Sequence, residues 1–102
     1  MTKAADDVLA ERKRQISEYE WTAKHDDDYA NNELALAAAL YALPQDHRET
    51  VCDTGDTILT LLWPWGWEWW KPGTRRRDLV KAGALILAEI ERIDRAAIRN
   101  QE

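Results

Sequence analysis

The chain has 102 residues, a formal charge of −5, 45% hydrophobic and 32% charged residues, six Trp and no Phe. That length builds one domain with a small core, here a single helical domain over 1–102, and the composition is globular rather than disordered. An acidic total argues against general nucleic-acid binding, which needs a broad basic face, and a lone cysteine, Cys52, excludes an intramolecular disulfide or a Cys-based zinc site within one chain.

The N-terminal stretch MTKAADDVLAERKRQ is charged from the start and lacks an apolar signal core. The longest apolar run, Leu34 to Leu43, is too short to cross a bilayer. No membrane partner is expected, and a reducing cytoplasm is the expected setting.

A first helix is predicted from about Lys3 to Glu20. Thr2 can cap it, and Asp6 and Asp7 suit its N-terminal dipole end. Its apolar stripe is narrow: Ala5, Val8, Leu9, Ile16 and Tyr19. Trp21 to Asp28 reads as a loop. Asn31 or Asn32 then caps a second helix, Glu33 to Leu43, which Pro44 ends. This ELALAAALYAL helix is apolar nearly all round, as for a helix buried in a core or at a subunit contact. Gly55 with Asp53 and Asp56 suggests a turn. Thr57 to Leu62 is short enough for a strand or for one or two helical turns. Helix or irregular structure is favoured, because no second strand candidate exists.

The third main helix runs from Arg75 to about Arg99, capped by Thr74 after Pro72-Gly73. Leu79, Gly83, Ile86, Ile90, Ile93 and Ala97 form a heptad-like seam. Gly83 costs about 1 kcal/mol relative to Ala within a helix, so close approach of another backbone is expected there, with the Ala-rich second helix as partner. The expected architecture is all-α, a compact three-helix domain with a long Trp-rich irregular segment before the last helix. The apolar second helix and the seam of the last suggest a homo-oligomer.

Five tryptophans fall within WPWGWEWWKPGTRRR: Trp63, Trp65, Trp67, Trp69 and Trp70. Indole rings beside fixed cations suit a flat, anionic ligand such as a nucleotide. Arg75, Arg76 and Arg77 occupy a first helical turn, where cations are misplaced unless an anion is near. In this reading Trp69 and Trp70 stack a base, with Trp63 behind them. Lys71, Arg76 and Arg77 grip phosphate. His25, Asp26 and Asp27 position the arginines or bind ribose hydroxyls. Three other readings stand beside it. The rings can be the core of a Phe-free protein, the arginines can be neutralised by Asp26, Asp27 and Asp28, or Trp and Arg can form a partner surface.

The acidic residues allow a second constellation. His25, Asp26, Asp27, Asp28 and Glu33, helped by Glu11, Glu89, Glu91 and Asp94, could hold a hard divalent cation. Glu91 and Asp94 stand in an E-x-x-D spacing, which resembles the magnesium-binding motifs of all-helical MazG-type nucleoside triphosphate pyrophosphatases. The earlier E-x-x-E helix of that family is absent. The bland reading is a solvated acidic loop. His47 reads as solvated, Ser17 has no adjacent histidine, and Cys52 reads as semi-buried. No catalytic residue, metal ligand or cofactor is assigned.

The succession ERKRQ, W-T-x-x-HDD, ELALAAALYA, WPW…WWKP and RRDLVKAGALILAEIERIDR resembles a family of short bacteriophage and prophage proteins over most of the chain. The resemblance implies a phage origin, a host cytosol as address, and a small accessory role rather than a reaction. The positions it marks are Glu11, Arg12, Gln15, Trp21, His25, Asp26, Asp27, Glu33, Tyr41, Trp63, Trp70, Lys71, Arg76, Arg77, Asp78 and Lys81. The expected function is binding of a nucleotide-like small molecule without turnover, as in counter-defence sequestration of a signal. The alternatives are inhibition of a host protein through the Trp surface, and a magnesium-dependent nucleotide pyrophosphatase.

Overall fold

The computed structural model describes residues 1–19 and 26–101. Helix α1 spans Lys3–Tyr19, α2 Glu33–Ala42, α3 Gln45–Arg48, α4 Ile58–Leu62 and α5 Arg75–Gln101, with a 3-10 turn at Trp67–Trp69. The fold is all-α: the described residues contain no strand, only an isolated antiparallel bridge between Val51 and Thr57.

Local chemistry sets most of these boundaries. The Thr2 hydroxyl accepts from Ala5 N at 3.1 Å, and the Thr74 hydroxyl from Arg77 N at 3.2 Å, each satisfying an orphan donor of a first turn. Asp78 reaches back to Gly73 N at 2.7 Å, a reciprocal closure one residue later than in a capping box. Thr57 caps α4 through Thr60 N at 3.1 Å, so the TILTLL run is helical. Before it, Gly55 turns the chain at φ +90 and donates to Cys52 O. Asn32 stands at the N-cap of α2 but adopts φ 69 and makes no side-chain cap. The left-handed conformation, which Asn tolerates, turns its amide away. Instead the Glu33 carboxylate accepts from Asn31 N at 2.7 Å. α2 stops at Ala42, and Leu43 is extended, as the residue before a proline must be.

α5 is the centre of the fold and packs against both α1 and α2. The apolar core lies between α2 and α5, where Leu34, Ala37, Ala38, Leu40 and Tyr41 meet Ala82, Leu85 and Ala88, with Trp63 closing it. Small residues on both helices allow the close approach. The contact between α1 and α5 is different in kind, because α1 has few apolar residues to offer. Glu11, Arg12 and Gln15 are buried there, and buried charge is tolerable only when paired. Arg12 meets Asp26 at 2.8 Å and Glu91 at 3.3 Å, while Glu11 meets Arg14 at 2.7 Å and also Arg77.

Gly83 has a packing reason, but its neighbour is α1 rather than α2. A Cβ added there would lie 3.1 and 3.2 Å from the two Cγ atoms of Val8. The heptad seam itself points away from the core: Leu79, Ile86, Ile90 and Ile93 are exposed. So are Ala35 and Ala39 of α2. The three long helices thus form a slab, 46 × 33 × 21 Å over the whole molecule.

Candidate functional site: an aromatic and cationic cleft

The Trp-rich bend is an aromatic stack with Trp63 as hub. Trp63 is 8% exposed. Its ring meets Tyr41, Trp65 and Trp70 edge-on at 5.9, 5.5 and 4.9 Å and lies parallel to Trp67 at 6.4 Å. Its Nε1 donates to Gly66 O at 3.2 Å, which holds the bend closed. Trp65 reaches Tyr29 at 5.3 Å. Such ring pairs add about 0.5–1.5 kcal/mol each beyond burial. Most of the indole surface therefore does the work that Phe does elsewhere. Trp67 and Trp69 are the most exposed of these rings, at 52% and 38%.

Tyr41 ties this stack to the start of α5. Its hydroxyl donates to Trp69 O at 3.3 Å and accepts from Lys71 N at 3.0 Å. Lys81, from α5, donates to Lys71 O at 2.5 Å and lies 5.5 Å over the Tyr41 ring. Lys71 in turn lies 5.9 Å over Trp69. Arg14, Gln15 and Glu11 of α1 complete a cleft with these residues, with a free volume of about 20 Å³, room for about one water.

The electrostatics of the cleft are uneven. Burial pushes the Glu11 carboxyl up, but hydrogen bonding and charge from Arg14, the charge of Arg77 and a hydrogen bond from Gln15 outweigh it and hold it below its ordinary value. Lys81 is in the opposite position. Desolvation, followed by the charge of Arg77, depresses its pKa, and Asp78 and Glu11 offset this only in part. No carboxylate of the described residues lies within ion-pair distance of its ammonium. Gln15 donates from Nε2 to Glu11 at 3.1 Å. A carboxylate engaged by cations can only accept, so the amide orientation is settled and Oε1 is the inward atom. That buried oxygen has no hydrogen-bond partner among the described residues.

The residues expected to bind do not form one cluster. Trp69 and Lys71 line the cleft, and Trp63 forms its wall. Trp70 turns the other way, 4.6 Å from Tyr41 and under the Arg48 guanidinium at 5.0 Å. Arg76 and Arg77 are met by carboxylates of α1, Arg76 by Asp7 at 2.9 Å and Arg77 by Glu11. The misplaced cations at the start of α5 thus find their counter-charge on a neighbouring helix. Asp26 and Asp27 do not reach these arginines. Asp26 is fully buried against Arg12, and Asp27 holds Arg95 and Arg99, each at 2.9 Å. Hydrogen bonds from Arg95 and Arg99 keep the Asp27 carboxyl below its usual range. His25 lies outside the described residues. Of the acids considered for a cation, Glu91 faces Arg12 and Glu89 faces Arg92 at 2.5 Å. Among the described residues no three His, Cys, Asp or Glu side chains come together as a metal site.

Arg14, Gln15, Tyr41 and Lys81 are the cleft residues that composition and spacing did not single out. A local signal existed for two of them: Gln15 stands four residues after Glu11 and Lys81 four after Arg77, on the same helical faces. Arg48, buried between Asp78 and Trp70, gave no such signal. No family model matches the chain, and neither do any curated protein or solved structure.

Proposed function

We propose that the chain is a non-catalytic binding protein for a nucleotide-like anion, held at the cleft between Trp69, Lys71 and Lys81. The observation that carries this reading is Lys81: a half-buried ammonium with a depressed pKa, a cationic neighbour and no carboxylate in pairing distance. A cation in that state gains from an anionic guest. Trp69, 38% exposed, offers indole surface beside it. In this reading the ring stays outside the small cleft, against Trp69, with the charged group at the mouth beside Lys81. Sequestration needs affinity alone, so no general acid or base is required. The resemblance to short phage proteins supports a counter-defence role in a host cytosol.

Thermal shift against a panel of linear and cyclic nucleotides tests this. A ligand at a hundredfold excess over its Kd stabilises by about 2.7 kcal/mol. Lys81→Met and Trp69→Ala should abolish the shift while leaving the ligand-free melt cooperative. A panel in which no nucleotide raises the Tm sinks the reading. A second reading has its own observation: Trp67, Leu61 and Leu62 are each exposed large apolar side chains in one stretch of chain, of the kind that can bind a host protein. A stoichiometric host protein lost on Trp67→Ala, with no nucleotide shift, would favour it.

A further inference from the structure

The side of the slab remote from the cleft is apolar. Along α5, Leu79, Ile86, Ile90 and Ile93 are 44%, 47%, 49% and 51% exposed. An apolar groove flanks this ridge on each side. One, of about 430 Å³, has Val8, Leu9, Gly83 and Leu87 in its walls. The other, of about 230 Å³, runs between Ala35, Ala39 and Ala42 of α2 and Ile86 and Ile90. A layer of helices with one bare apolar face needs a second layer. Lys81 and Ile90 are nine residues apart, about half a revolution of the helix, so this face and the cleft are separate.

We propose that this face is the interface of a two-fold dimer, in which α5 packs antiparallel on α5 of a second copy with the axis at the level of Ala88. The seam carries its own complement in that register. Leu79 faces Ala97 of the other copy, Gly83 faces Ile93, and Ile86 faces Ile90. The outer layers pair a large side chain with a small one, the central layer pairs two isoleucines, and every layer pairs a d position with an a position. A parallel arrangement would set Gly83 on Gly83, leaving a gap at that level, which close packing penalises. The self-complementarity is what selects a second copy over an unrelated partner.

The area agrees with it. Leu79 to Ala97 covers about 28 Å of helix, and three adjacent helices span about 20 Å. That gives more than about 1,000 Å² over both copies, the size at which specific interfaces begin. Of the charges on this face, Arg76 is paired with Asp7 within the chain, while Asp94, exposed beside Ile90 and Ile93 and without an ion pair among the described residues, has to keep its carboxylate at the solvated edge of the contact.

Sedimentation equilibrium on the full chain should give twice the chain mass. Ile90→Glu should raise the dissociation constant at least about a hundredfold, since each dimer loses two central contacts. Far-UV circular dichroism should be unchanged, because the side chain is half exposed in a single copy. Ile93→Lys serves if Ile90→Glu does not fold. In a Cys52→Ser background, a mixture of Ile86→Cys and Ile90→Cys chains should cross-link faster than either alone, because only the mixture brings the two thiols to one level. A monomer mass at every concentration overturns the proposal. So does a dimer indifferent to both charged substitutions, or a single-cysteine chain that cross-links with itself as fast as the mixture.

Discussion

Glu11 is the keystone between α1 and α5, and Glu11→Gln measures how much. The carboxylate is 1% exposed at its side chain and receives Arg14 through two nitrogens at 2.7 and 2.8 Å, Gln15 at 3.1 Å, and Arg77. A hydrogen bond to a charged group is worth about 1.5–3 kcal/mol. The arginine side chains are 30% and 41% exposed, so water can replace part of what they lose. A loss of about 2–3 kcal/mol is therefore expected rather than the sum of all four contacts, which for a domain this size lowers the Tm by roughly 10–20 °C. Urea unfolding followed by circular dichroism gives the value. The sign with pH follows from the depressed pKa of Glu11. Its contribution is whole above the ordinary glutamate value of 4.5 and is lost as pH falls through the lower folded value. The gap between wild type and variant should thus be full at about pH 7 and shrink as pH falls below 4.5 and through the lower folded value. A variant within about 0.5 kcal/mol of wild type at neutral pH refutes the network's role, and a gap that ignores acid refutes its ionic nature.

Trp63→Ala should cost about 3–5 kcal/mol, as for a buried ring in a core, whereas Trp67→Ala should stay within about 1 kcal/mol; denaturant melts of the two separate the hub of the stack from its open edge. Gly83→Ala should fail to deliver the roughly 1 kcal/mol that helix propensity offers, because Val8 stands 3.1 Å from the new methyl and is stiff at χ1; Val8→Ala in the same chain should restore the gain, read as a double-mutant cycle. Binding of a nucleotide at the cleft should weaken as pH rises through the depressed pKa of Lys81, before the ordinary lysine value of 10.5 is reached, and titration calorimetry across alkaline pH reports it.

Much of the candidate site was out of reach of a linear reading because its parts are far apart in the chain. Arg76 and Arg77 were visible as cations needing an anion, but that Asp7 and Glu11 supply it depends on where α1 lies. Lys81 was marked by the resemblance to short phage proteins, but nothing in its local charge or spacing gave it a role. Only its desolvation by the Trp-rich bend, with Arg77 beside it and Lys71 O as its acceptor, makes it unusual. Asp26 and Asp27 read as part of a solvated acidic loop, with a cation site or pairing to the arginines of the last helix's first turn beside it; in the structure they pair with Arg12, Arg95 and Arg99 instead.

The elements themselves were written locally. Thr2, Thr57, Thr74, Pro44 and Gly55 act on backbone groups within a few residues of themselves, so their effect needs no fold to be predicted. The one cap that misled, Asn32, failed because a left-handed backbone moved its side chain, a choice that sequence leaves open. Periodicity found the apolar seam of α5 but not which way it faces. An amphipathic helix only states that one stripe seeks apolar company. Here Ala82, Leu85 and Ala88 took the core, since small residues let α2 come close, and the larger isoleucines were left on the outside of the slab. Assignment of faces is a property of all the helices packed together, and the tertiary structure alone could make it.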